Sequence, residues 1–157
     1  MLLVSGPSRA TAISPSGSAA AIEGWPAEDE ANEMLELVVS HVGVSQQLFD
    51  VRIFADNMSL VYTETTSQIN IAELLIVQMC LVFAIGRLLQ AKSEDNGDLP
   101  GTKFFNEAMR RMPTCLSLRQ HHLLGIEVPA LTALYLQITD RKIDAYLYVR
   151  FLGQALL

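Results

Sequence analysis

Apolar positions fall on helical spacing through most of the chain, and almost nowhere do they alternate with period two. From Ala27 onward, after Pro26 and a run of acids suited to a first turn, Met34, Leu35, Val38, Val39 and Val42 line one helix face. Gly43 is the expected stop. A weaker helical stretch covers about residues 46–62 with Phe49, Ile53 and Phe54 apolar, although Val51-Arg52-Ile53 reads equally well as extended. The strongest element spans residues 69–91, apolar nearly all round, with Glu73, Gln78 and Arg87 interrupting the run. Such a helix is either the centre of a core or a membrane span. The thirteen residues between Glu73 and Arg87 fall short of the roughly 20 that a bilayer core requires. A central core helix is the expectation, and a membrane-associated helical protein using residues 69–91 is the rival.

Beyond a polar loop at residues 93–101, Thr102 is expected to cap a helix that runs to about Met112 and stops at Pro113. Setting Gly97 at the sixth position of a calcium loop puts Lys92 and Lys103 where acids are required, which excludes an EF-hand. The next helix is expected to open at Ser117, carry Leu118 through Tyr135, and kink or break at Pro129. Asp140-Arg141-Lys142 reads as a polar turn, and a last helix is expected from Lys142 with Tyr146, Val149 and Leu152 at three-residue spacing. The expected fold class is all-α, an irregular multi-helix domain.

Composition narrows the function more than the fold. Half of the 157 residues are apolar and 18% are charged, which excludes wholesale disorder. The net charge of −6 is confined to one region: residues 1–60 hold two basic side chains against eight acids, while residues 61–157 hold nine of each. That balance argues against a nucleic-acid surface on this chain. The acids of residues 23–36 read as a solvated helix start favoured by the helix dipole. Residues 1–26, rich in Ser, Ala, Pro and Gly, read as a flexible linker.

Little catalytic chemistry is on offer. Cys80 sits in the most apolar helix, where a cysteine acts as a small hydrophobe. Cys115 has His121 and His122 nearby in sequence, but no third orienting group accompanies them. Adjacent histidines on a helix point about 100° apart and do not share a metal readily. No Walker, HExxH or GxSxG pattern occurs, so no enzyme is expected and no catalytic, cofactor or metal residue is named.

The order of short motifs in the C-terminal half is more specific. Phe104-Phe105-Asn106-Glu107-Ala108 is followed by Met112-Pro113, then Leu123-Leu124-Gly125-Ile126-Glu127, then Ala133-Leu134-Tyr135-Leu136-Gln137. Asp140-Arg141-Lys142, Ala145-Tyr146 and Gly153-Gln154-Ala155-Leu156 complete it, with Phe49-Asp50, Phe54 and residues 81–89 upstream. In that order they resemble the fungal-specific transcription factor domain, the middle homology or xylanolytic-activator-type regulatory region of fungal zinc-cluster regulators. The resemblance implies a partial regulatory domain over residues 27–157, located in the nucleus and engaged in transcription regulation. Implied partners are protein co-regulators or intramolecular regulatory contacts, with a small-molecule effector also possible within the family. DNA and zinc binding belong in that family to an N-terminal six-cysteine cluster, which two cysteines cannot form. The family-signature positions are Gly86, Phe105, Ala133, Tyr135, Asp140, Arg141, Tyr146, Gly153 and Ala155, with packing roles: small residues for close helix approach, aromatics for core filling. Against the family pattern, Arg150-Phe151-Leu152 reads as an insert before Gly153, and three residues rotate the following face by about 300°.

Overall fold

The computed structural model describes residues 22–42, 48–63, 72–91, 97–141, 143–147 and 149–150. All regular structure among them is helical. Six helices follow in order: α1 (Glu28–Val42), α2 (Val51–Thr63), α3 (Glu73–Gln90), α4 (Thr102–Arg111), α5 (Cys115–Arg119) and α6 (Leu124–Ile138). Residues 143–147 and 149–150 are helical as well.

α3 is the axis of the molecule. Every residue from Ile76 to Gly86 is buried, because α1, α4 and α6 each pack along it and together cover its whole circumference. The helix is long and apolar enough to cross a membrane by length and composition, and two-thirds of it is buried inside the protein. It ends where Ala91 turns left-handed (φ 52°) and donates its N–H to the Leu88 carbonyl at 3.1 Å.

α1 buries Ala31, Met34, Leu35 and Val38, one stripe of an amphipathic helix, with Glu28, Asp29 and Glu30 at its dipole-favoured start. Packing extends back to Ile22 and Trp25, whose ring meets Phe83 edge to face at 5.1 Å. Ile22 and Trp25, inside the stretch expected as linker, are packed against the core, a seat that the Ser/Ala-rich composition hid. Residues 1–21 lie outside the described residues.

Two local expectations change at the second half. Thr102 is the first residue of α4 rather than its cap, and its hydroxyl donates to the Leu99 carbonyl at 2.6 Å. Gly101 precedes it at φ 81°, and a Cβ there would stand 2.3 Å from the Ala84 carbonyl oxygen. Only glycine permits α4 to start so close to α3.

The second change concerns the helix expected from Ser117 through Tyr135. Thr114 caps the short α5, accepting from the Ser117 N–H at 3.4 Å. The chain then breaks at Gln120–Leu123, where His122 is left-handed (φ 49°), and not at Pro129. Leu118 and the buried face of α6 both reach the core only if the chain turns between them. Gly125 makes that turn tight: a Cβ there would lie 2.0 Å from the Leu118 carbonyl oxygen. Pro129 lies buried within α6 between Val128 and Leu131. Tertiary packing offsets the roughly 3 kcal/mol that a mid-helix proline costs.

Candidate functional site

The sequence-derived positions fall into two groups. Gly86 stands at the crossing of α1 and α3, where an added Cβ would lie 2.6 Å from the Met34 Cβ. It lets the two backbones approach, and the next residue, Arg87, closes the same crossing by pairing with Glu30 at 2.6 Å. The Arg87 guanidinium also lies 6.0 Å from the centre of the Phe104 ring.

Phe105, Tyr135, Asp140 and Arg141 meet elsewhere, on the seam between α4 and the end of α6. The Phe105 and Tyr135 rings stack at 4.3 Å with 14° between their planes. α6 ends in a Schellman motif: Arg141 donates its N–H to the Leu136 carbonyl at 2.7 Å and Asp140 to that of Gln137 at 3.2 Å. Asp140 takes the left-handed position at φ 63°. That turn carries Arg141 back over Phe105, 6.0 Å from the ring centre, where its guanidinium pairs with Asp144 at 2.9 Å. A cavity of about 170 Å³ lies between Phe105, Met109, Leu136, Arg141, Asp144 and Leu147. It is apolar on four walls with one ion pair at its rim.

Ala133 is buried on α6, outside the main core cluster. Tyr146 does not fill the core: it is 61% exposed, because Ala145 is the residue of its turn that faces inward. Gly153 and Ala155 lie outside the described residues, as do Phe151 and Leu152 of the insert.

A third cluster joins Gln78, one of the polar interruptions of α3, to Glu127, which no sequence pattern marks as its partner. Glu127 on α6 is 8% exposed and Gln78 on α3 is 3% exposed. The Gln78 Nε2 donates to one Glu127 oxygen at 2.8 Å, and the backbone N–H of Asp50 donates to the other at 3.0 Å. A buried carboxylate so partnered joins α3, α6 and the start of α2. The available signal was that Gln78 and Glu127 are each the lone polar interruption of an otherwise apolar turn.

Other charged groups are structural. Glu107 on α4 accepts from Arg110 and from Arg111, the latter at 2.6 Å, and Arg111 also pairs with Glu73 across to α3. The Arg110 hydrogen bond, with that of Arg111, holds the Glu107 carboxyl below the usual carboxylate range although partial burial opposes this. Burial pushes the Cys80 thiol up to about 12, reinforced by the charge of Glu107, so it remains protonated and unreactive. Among the described residues no three His, Cys, Asp or Glu side chains gather to hold a metal ion.

The fold and these contacts define an all-α domain organised around one buried helix, with an aromatic–arginine seam at one edge and a buried polar junction at another. Comparison with protein-family models, with curated proteins and with solved structures finds no match for the chain.

Proposed function

We propose that the chain is a regulatory helical region of a fungal zinc-cluster transcription factor, acting in the nucleus on DNA-templated transcription. The observation that carries the reading is the joint order of the motifs from Phe104 to Leu156. Two structural facts are consistent with it. The fold is all-helical, and Phe105, Tyr135, Asp140 and Arg141, separated by up to three dozen residues in sequence, share one seam. In this reading the region restrains or relays activation through protein contacts. The apolar cavity beside the Arg141–Asp144 pair is the place for a small effector with an apolar body and a polar end. DNA and zinc are handled by the six-cysteine cluster of the parent protein, and no residue of this chain is assigned to either.

A reporter assay tests the proposal. The chain is inserted between a heterologous DNA-binding domain and an activation domain in fungal cells, and is expected to change reporter output several-fold relative to an inert spacer of equal length. Arg141→Ala, which leaves the core untouched, is expected to reduce that change. Output equal to the spacer's, from a folded and nuclear fusion, overturns the reading.

The membrane reading has one observation in its favour, the length and apolarity of α3. Alkaline carbonate extraction separates the two, since a chain that stays with the membrane pellet is integral and one released by it is not.

A further inference from the structure

We propose that α2 is a releasable unit, latched onto the domain at its two ends by the Glu127 carboxylate and the Tyr62 hydroxyl. The inference stands apart from the transcriptional reading and rests on how α2 is held. Among the described helices α3 packs along α1, α4 and α6, whereas α2 meets the others chiefly over a short stretch of α1. Its inward face is nonetheless apolar and buried, through Phe54, Met58 and Val61.

The hydrogen bonds at the ends of α2 are of two kinds. Local ones hold the helix to itself: the Asp50 carboxylate accepts from the Ile53 N–H at 3.1 Å, and the Thr63 hydroxyl donates to the Ser59 carbonyl at 2.9 Å. They travel with α2 wherever it goes. Long-range ones tie it down: the Asp50 N–H donates to Glu127 at 3.0 Å, and the Tyr62 hydroxyl donates to the Pro26 carbonyl at 2.8 Å. In a capping box, the glutamate that binds the N–H of the cap residue sits three positions into the same helix. Here that position holds Ile53, and Glu127 supplies the carboxylate from α6, 77 residues away. The cap of α2 is thereby made a tertiary contact, and Gln78 fixes the carboxylate that makes it. A helix whose other end bonds are local, with a short backbone interface and, among the described residues, these two tertiary latches, opens as a unit before the α3-centred core does. Opening exposes Phe54, Met58 and Val61 together with the seat they leave.

Native-state hydrogen exchange on the full chain, read residue by residue across a denaturant series, tests this. In the unmodified protein, amides of residues 54–63 are expected to exchange through an opening that leaves residues 76–86 protected and depends only weakly on denaturant. Glu127→Ala is expected to speed exchange across α2 by roughly ten- to a hundredfold, the loss of a charge-assisted hydrogen bond, and across α3 by clearly less, through the stranded Gln78 amide. Tyr62→Phe keeps the ring and is expected to act in the same direction. Glu127→Gln retains an oxygen for the Asp50 N–H and is expected to recover most of the protection. The proposal is overturned if α2 and α3 exchange together in the unmodified protein, or if Glu127→Ala accelerates both alike. Should Glu127→Ala not fold, Tyr62→Phe and the denaturant series decide the matter.

Discussion

α3 and the last helical segment, residues 143–150, are both written largely in apolar residues, and they meet opposite fates. From Ile76 to Gly86 α3 is buried without a gap. In the last segment Ile143 is 79% exposed, Tyr146 61%, Leu147 55% and Val149 54%, and among its described residues only Ala145 is buried. Apolar composition supplies the incentive to bury, but the neighbours decide whether burial happens. α3 has helices on three sides because Gly86 and Gly101 let α1 and α4 come close. Among the described residues the last segment leans on the domain through Ala145, the edge of Leu147 beside Phe105 and Leu136, and the Arg141–Asp144 pair, whose two side chains are themselves substantially exposed.

Substitutions break this contrast at its ends. Phe83→Ala removes a ring fully enclosed between Trp25 and Phe104, and is expected to cost about 3–5 kcal/mol in urea unfolding. A cost below about 1 kcal/mol would mean that α3 is not the packed axis described above. Gln78→Leu is expected to cost about 1–3 kcal/mol, since it strands a buried carboxylate oxygen of Glu127. If that variant is as stable as the parent, the polar junction is not formed in solution.

Acid has a smaller effect, with a definite sign. The Glu107 carboxyl is lowered in the folded state, so its contribution is present above the ordinary carboxylate range and lost as pH falls through the folded value. Melting followed from neutral pH downward is expected to show stability falling with acid. In Glu107→Gln the same fall is expected to be shallower, and an identical pH dependence in both proteins refutes the assignment.

The smallest effect on stability is expected at the other pole. Tyr146→Ser with Leu147→Ser is expected to shift the free energy of unfolding by no more than about 0.5 kcal/mol per site, as surface changes do. The same pair is expected to raise solubility, because Ile143, Tyr146, Leu147 and Val149 lay an apolar strip open to self-association. Light scattering over a concentration series measures it. Equal scattering by variant and parent removes this strip as the cause of aggregation.

Much of the fold was legible because helical periodicity is a local property. The face of α1, the apolarity of α3 and the stop before Pro113 follow from residues within a turn or two of one another. The break after α5 was not legible. Pro129 carries a stronger local breaking signal than Gln120-His121-His122, and only the seating of Leu118 against Gly125 favours the earlier turn. The seam was half legible: Phe105, Tyr135, Asp140 and Arg141 were singled out one by one, but their meeting depends on the left-handed turn at Asp140. Tyr146 was misjudged because three-residue spacing identifies a helix face without saying which face is inward.

By itself the sequence determined that the chain is helical, made residues 69–91 the expected central helix, and showed that no six-cysteine cluster is encoded here. Those properties depend on composition and on short-range periodicity, which one chain displays without reference to its fold. Tertiary structure alone decided that Glu127 caps a helix 77 residues away, that Trp25 belongs to the core, and that residues 143–150 expose the face expected inside. The reason is physical: a hydrogen bond or an apolar contact acts over a few ångströms of space, and only folding converts distance along the chain into distance in space.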